Sequence, residues 1–505
     1  MTAYFRNLPF FAILIFVASG AMFIPAAVAT GMQDFATGRV FFYTAMMVGM
    51  GAILLGFACQ TPRRPPSERS HLASLFLAYL WLPLVLALPM DQAVRNTYFI
   101  NVYLDMVSAL TTTGAEVFDP ERLAPAVHLW RGLVGWFGGL LIWITAFAVL
   151  APLNLGGYEV TSEATVQGKI VNARGQMRAA GASERLRKHA VRLTPIYAGL
   201  TVVLAVGLTA GGEDPLVAAI HAMSTLATSG ISPVSGLAER PVGMFGEALI
   251  FVFFLFALSR RTYSSGAGRE LRERLTKDRE IRLALFAGIV LPTLLFVRHW
   301  FGAYEVHELA DGEAAVSALW GAVFTVISFL TTTGFVSEAW GDARAWSGLQ
   351  TPGLLLVGLV LMGGGVATTA GGVKLLRVYA LYKHGVREMG KLIYPNSVAG
   401  AGRLGRRIRR EGAYIAWVVF MLLVLSIAVV MVGLSSTGLD FEVSTILAIS
   451  SLTTTGPLAS VAGAEPIDYF LLSDIAKLIC AGAMIVGRIE TLVMIALLNP
   501  AFWRD

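Results

Sequence analysis

The sequence predicts an all-α integral membrane protein made of four membrane helix, short helix, membrane helix units behind a leading two-helix hairpin. Three observations predict it: a composition too apolar for water, a hydroxyl-rich signature written four times, and a regular alternation of long and short apolar runs. Of 505 residues, 56% are apolar and 14% charged, with a mean hydropathy of +0.67. Soluble domains carry about 25% charged residues, so the chain is built for lipid.

The signature is Ser108-Ala109-Leu110-Thr111-Thr112-Thr113-Gly114. It returns as Ser224-Thr225-Leu226-Ala227-Thr228-Ser229-Gly230, Ser328-Phe329-Leu330-Thr331-Thr332-Thr333-Gly334 and Ser450-Ser451-Leu452-Thr453-Thr454-Thr455-Gly456. Its glycines recur at intervals of roughly one hundred residues, the mark of one structural unit used repeatedly. A single Ser/Thr-rich run is ordinarily a turn between helices. Four in register, each after a short apolar run and before a long one, suggest extended backbone whose carbonyl oxygens face a common axis.

Taken in order, ten runs are long enough to span, since a crossing needs about 20 mostly apolar residues. They lie near 9–30, 40–60, 73–91, 132–153, 190–211, 243–259, 281–301, 352–378, 412–434 and 469–498. The expected divisions are a hairpin over 1–70 and units over 71–165, 166–275, 276–400 and 401–505. The first run ends in Ala-Ala-Val-Ala, which resembles a signal-peptidase site. Arg6 is the only basic residue before it and a second span follows at once, which favours a retained helix.

Within each unit lies a run too short to cross: Thr97 to Leu110, Asp214 to Leu226, Ala314 to Leu330 and Phe441 to Leu452. These read as half-crossing helices that point the negative ends of their dipoles at a cation site. Alternating the spans from an inside N-terminus puts 30 of the 39 Lys and Arg on the inner side, with the signatures outside. That asymmetry follows the positive-inside rule and accounts for the net charge of +6 without nucleic acid.

Two stretches depart from plain apolar helix. The eighth run contains Gly363, Gly364, Gly365, Thr368, Thr369, Gly371 and Gly372. Each glycine costs a helix close to 1 kcal/mol, so the run is expected to break into a loop beneath the third signature and to obstruct the path as a gate. Close helix packing is the alternative use of such glycines. The last run carries Lys477, Arg488 and Glu490. Charge inside a membrane faces a cavity or a partner. Arg488 is expected to repel cations in the path or to form a structural ion pair with Glu490 or another helix, and Lys477 to tether the short helices through their carbonyls.

Enzyme chemistry has no support. His128, His221, His299, His307 and His384 are scattered, Cys59 and Cys480 stand apart, and no zinc-protease or nucleotide-loop motif occurs. Asp105 and Asp119 flank the first signature and read as solvated rim acids or as a cation-attracting mouth.

With the four signatures, the glycine-rich break and Gly487-Arg488-Ile489-Glu490 together, the chain resembles the Trk/Ktr/HKT superfamily of potassium transporters, most closely its bacterial TrkH/TrkG branch. Further matches are His221-Ala222 before the second signature, Trp130-Arg131, Trp136 and Gly138-Gly139 after the first, Gly456-Pro457, and Arg387-Glu388 with Pro395. The resemblance implies potassium as the transported ion, bound at the sixteen residues 111–114, 227–230, 331–334 and 453–456. It implies a pseudo-fourfold pore, a loop gate, a blocking arginine, a homodimer in membrane lipid and a cytosolic TrkA-like nucleotide-binding subunit. In plant relatives a serine at the first filter glycine accompanies sodium preference, and Gly114 therefore favours potassium. The second signature lacks the family's common Gly-Gly pair. Sodium or ammonium transport, or a non-conducting sensor or scaffold, are the competing functions.

Overall fold

The computed structural model describes residues 10–58, 68–151, 155–158, 182–234, 236–237, 243–259, 278–302, 312–348, 353–393 and 403–490. Cys59, His307, Pro395, the basic residues of 159–181 and 260–277, and the end of the tenth expected span lie outside them, as does the side chain of His299. The described residues are helical and hold no strand. Helices α1 (Phe10–Gly31) and α2 (Phe35–Ala58) form the leading hairpin. Ser19 Oγ donates to the Ala45 carbonyl across it at 2.9 Å, opposite Gly49, where a Cβ would sit 2.6 Å from that hydroxyl.

The first unit is α3 (Glu68–Ala93), α4 (Phe99–Leu110) and α5 (Pro125–Thr145), which runs into a π turn at Ala146–Leu150. The second is α6 (Ala182–Ala210), α7 (Pro215–Ala227) and α8 (Gly243–Phe253), continued by the short turn Leu255–Leu258. The third is α9 (Arg279–Gly302), α10 (Gly312–Leu330), the connecting α11 (Trp340–Ser347), α12 (Gly353–Met362) and α13 (Leu375–Ile393). The fourth is α14 (Arg403–Ser435), α15 (Phe441–Leu452) and α16 (Asp474–Ile489).

The short helices form where the sequence places them, for local reasons. Asp214 Oδ1 accepts the N–H groups of Leu216 and Val217, and Pro215 fills the first turn of α7, where its missing donor costs nothing. At 12 residues, α4 and α15 are about 18 Å long, half a bilayer.

Among the described residues seven helices are long and apolar enough to cross a membrane. The other three expected spans close the second, third and fourth units: α8 with its short extension, the interrupted pair α12 and α13, and the 16-residue α16 with its buried charges. Burial is inverted relative to a water-soluble protein. Threonines 111, 112 and 113 are fully buried, whereas Val429 and Val432 of α14 face outward at 64% and 65% exposure. Two apolar clusters hold the units. One joins the hairpin and first unit to α15 and α16; the other joins the second unit to the third.

Several boundaries differ from expectation: α6 starts at Ala182 and α14 at Arg403, eight and nine residues before the expected spans, and one shift has an internal cause. The fourth span begins at Pro125, not residue 132, because His128 and Arg131 are buried inside it. Arg131 Nε reaches Asp105 Oδ2 and its Nη2 reaches Oδ1, both at 2.9 Å. Asp105 is 1% exposed, so it is a paired interior carboxylate and neither a solvated rim acid nor a lure for cations. Asp119 caps a short 3₁₀ turn through the Glu121 N–H. Removing one partner of a buried ion pair costs about 3–5 kcal/mol, because the survivor is left uncompensated. Asp105→Ala is therefore expected to lower the thermal unfolding midpoint in detergent markedly, with Asp105→Asn closer to wild type.

Candidate functional site

The four signatures meet. A Cβ on Gly114 would overlap the Ser229 carbonyl oxygen of the second signature, and one on Gly230 would overlap the Thr333 carbonyl oxygen of the third. Gly334 lies against Pro457, which follows the fourth signature, and the Gly456 N–H donates to the Thr113 carbonyl at 2.6 Å. The contacts run from first to second, third, fourth and back to first. This ring places all sixteen candidate residues in one buried cluster; the eleven hydroxylated ones are at most 1% exposed.

Each signature has the same backbone conformation. The N–H groups of Thr112, Thr228, Thr332 and Thr454 return to the carbonyl three residues back. Those of Thr113, Ser229, Thr333 and Thr455 return to the serine carbonyl five back, at 2.8 to 3.0 Å. The threonines at 112, 228, 332 and 454 all have left-handed φ, between +52° and +56°. That is a genuine outlier for a β-branched residue, and it recurs at one register in all four signatures. Several hydroxyls are occupied close by: Thr111 and Thr331 contact Thr113 and Thr333 at 2.8 and 3.0 Å, and Thr453 donates to the Ile449 carbonyl, while those of Thr112 and Thr454 are buried without a hydrogen-bond partner among the described residues. The N–H groups of each turn are spent inward, which leaves oxygen atoms, carbonyl above all, to offer an ion.

A different buried polar group fixes the exit of each signature. Ser108 Oγ accepts the Ala115 N–H at 2.7 Å. His221 lies between Glu213 (Nδ1 to Oε1, 2.5 Å) and Ser232 Oγ (Nε2, 3.0 Å), its ring edge-on to Phe335. Glu247 accepts from Trp320 Nε1, Ser337 Oγ and the Glu338 N–H. Tyr469 contacts Ser450 at 2.9 Å. Sequence reasoning passed over Glu247 and Glu213. A lone carboxylate inside the apolar run Met244 to Phe254 was the available signal, since buried charge is retained only with partners.

The glycine-rich run breaks as expected. Helix α12 ends at Met362, and the chain makes an excursion over 363–372 before the Val373 and Lys374 N–H groups bond back to Leu361 and Met362, both at 3.0 Å. The excursion lies against three signatures. The Gly371 N–H donates to Thr332 Oγ1 at 2.7 Å, Thr369 Oγ1 donates to the Leu226 carbonyl at 3.2 Å, and a Cβ on Gly371 would overlap the Thr453 carbonyl oxygen. Gly363, Gly364 and Gly365 make the way in, Gly363 against Gly371 and Gly365 against Leu258. Thr368 donates to the Gly365 carbonyl.

Arg488 is 5% exposed and donates from Nη1 to the Thr369 carbonyl at 2.5 Å. Its expected alternative partner, Glu490, is taken by Arg377 at 2.9 Å, because Glu490 follows the end of α16 and turns toward α13. Lys374 Nζ donates to the Ala370 carbonyl. Lys477 does not reach the short helices; its ammonium donates to the Phe470 carbonyl at 2.8 Å and lies 5.5 Å from that ring's centroid. A cavity of about 30 Å³, room for water, lies between the excursion, Arg488, Glu490 and the π turn of α5 at Ala146 and Leu150. The π turn leaves the Ala148 carbonyl to Arg185 Nε, 3.1 Å away.

Comparison with known proteins follows the same outline. A family model described as "TrkH: Cation transport protein" matches residues 279–503. The Trk system potassium uptake protein TrkH of Salmonella typhimurium is 30% identical over 508 residues, covering 98% of each chain. Its namesake from Escherichia coli K12 is 29% identical with the same coverage. The crystal structure of the potassium transporter TrkH from Vibrio parahaemolyticus matches with a TM-score of 0.81 at 25% identity, over 99% of this chain and 100% of that one.

Proposed function

The chain belongs to the TrkH family of cation transport proteins, and we propose that it takes up potassium across the cytoplasmic membrane through a gated, channel-like pore. It is a transporter, not an enzyme. The observation that carries the reading is the closed ring of contacts among Gly114, Gly230, Gly334 and Gly456. Carbonyl oxygens of 111–114, 227–230, 331–334 and 453–456 replace the hydration shell of a bare potassium ion, and the four short helices turn their negative ends toward it. Backbone oxygens, not hydroxyls, do the coordinating, so Ala227 in the second signature serves as well as threonine in the others.

Below the filter the excursion through Gly363, Gly364, Gly365, Thr368, Thr369, Gly371 and Gly372 obstructs the path, and Arg488 adds a repelling charge beside it. The four units surround one axis with pseudo-fourfold symmetry. The termini and the basic loops face the cytoplasm. The protein works as a homodimer in membrane lipid, and the basic loops receive a cytosolic TrkA-like nucleotide-binding subunit.

Rubidium flux into proteoliposomes tests the reading. Uptake is expected to be blocked by potassium and only weakly by sodium, and the gene is expected to restore growth at low potassium to a cell deficient in its uptake. Sodium flux that potassium does not block would assign a different ion. No flux and no growth would leave a sensor or scaffold.

A further inference from the structure

One contact to the excursion comes from a residue that no motif marks. Glu280, in the first turn of α9, accepts the Val366 N–H at Oε1, 2.7 Å away and 86 residues along the chain. Both residues are buried, Glu280 at 5% exposure and Val366 at 0%. The neighbouring Gly365 N–H donates to the Ala257 carbonyl at 2.9 Å, and Ala367 has a left-handed φ of +58°. The first half of the excursion is therefore held against the end of the second unit and the start of the third.

The second half is held differently, by Arg488 on Thr369, Thr332 on Gly371 and Lys374 on Ala370. Lys374 is itself 8% exposed and within the field of Glu280 and Glu490, with Arg377 and Arg488 opposing it. Glu280 thus holds the first end of the excursion through its hydrogen bond at Val366. A charged acceptor makes a stronger bond to an N–H than a neutral one.

We propose that Glu280 is a positioning residue of the gate, a latch whose carboxylate holds the 363–372 excursion closed beneath the filter until the first turn of α9 draws it away. The proposal rests on the pore reading above. It concerns how the obstruction is held and leaves ion choice to the filter.

Rubidium flux and potassium-over-sodium discrimination, measured in proteoliposomes of the full chain, test it. Glu280→Ala is expected to raise rubidium flux at least about tenfold, the loss of one charge-assisted bond in the closed state. Discrimination stays at the wild-type value, because no filter contact is touched. Glu280→Gln has the same shape and keeps a neutral acceptor, so it is expected to restore most of the closed behaviour. A merely structural Glu280 would lower flux or blur discrimination and would not raise flux with selectivity intact. Glu280→Ala flux at or below wild type, or Glu280→Gln as leaky as Glu280→Ala, overturns the latch while wild-type flux upholds the pore. Absence of rubidium flux in the wild type overturns both.

Discussion

Gly114→Ser is expected to lose about tenfold in potassium-over-sodium discrimination. Gly114 has φ +69°, a conformation that costs a residue with a Cβ roughly 1–2 kcal/mol. The added Cβ would also overlap the Ser229 carbonyl oxygen, which is backbone and cannot rotate away. One of the two strands has to shift, and an ion cage matched to potassium loses its match. A loss of about 1.4 kcal/mol in relative binding is a factor of ten. Competition of sodium and potassium against rubidium flux measures it. Gly20→Ser, whose new Cβ meets nothing within 4 Å, is the control expected to leave discrimination unchanged. Unaltered selectivity in Gly114→Ser would remove this strand from the coordination of the ion.

Arg488→Gln is expected to raise rubidium flux through the closed protein by up to about a hundredfold. A fixed positive charge about 5 Å from a passing monovalent cation opposes it by about 3 kcal/mol at an effective dielectric constant of 20. Each 1.36 kcal/mol on a barrier is about tenfold in rate. Among the described residues the nearby acid Glu490 is engaged by Arg377, so the charge of Arg488 is not paired with a carboxylate. Glutamine keeps a donor for the Thr369 carbonyl while removing the charge, which separates electrostatic blocking from anchoring. Flux recorded without any cytosolic partner is the measurement, and unchanged flux would make Arg488 an anchor for Thr369 alone.

The sequence made the four signatures legible because their repeat is local: each carries its own serine, leucine and glycine, and the short helix before the second has its own cap at Asp214. The break after Met362 was legible for the same reason, since five glycines act on their own segment. Partners distant along the chain were not. Asp105 and Arg131 are 26 residues apart and looked like loop residues, which delayed the expected start of α5. Glu247 finds its donors 73 to 91 residues away, and Glu490 turns from Arg488 to Arg377, 113 positions distant. Charge in the interior of this fold is neutralised by residues distant along the chain, and nothing beside a charge announces its partner.

The four left-handed threonines bear on how the protein is made. At roughly 1–2 kcal/mol each, together they amount to something like 4–8 kcal/mol, comparable with the whole net stability of an ordinary domain. The hydrogen bonds that hold each strand lie within its own signature, and closing the ring adds one more, from the Gly456 N–H to the Thr113 carbonyl. What the fourth quarter adds is closure: a chain truncated before α15 is expected to insert its helices yet leave the ring of signatures open.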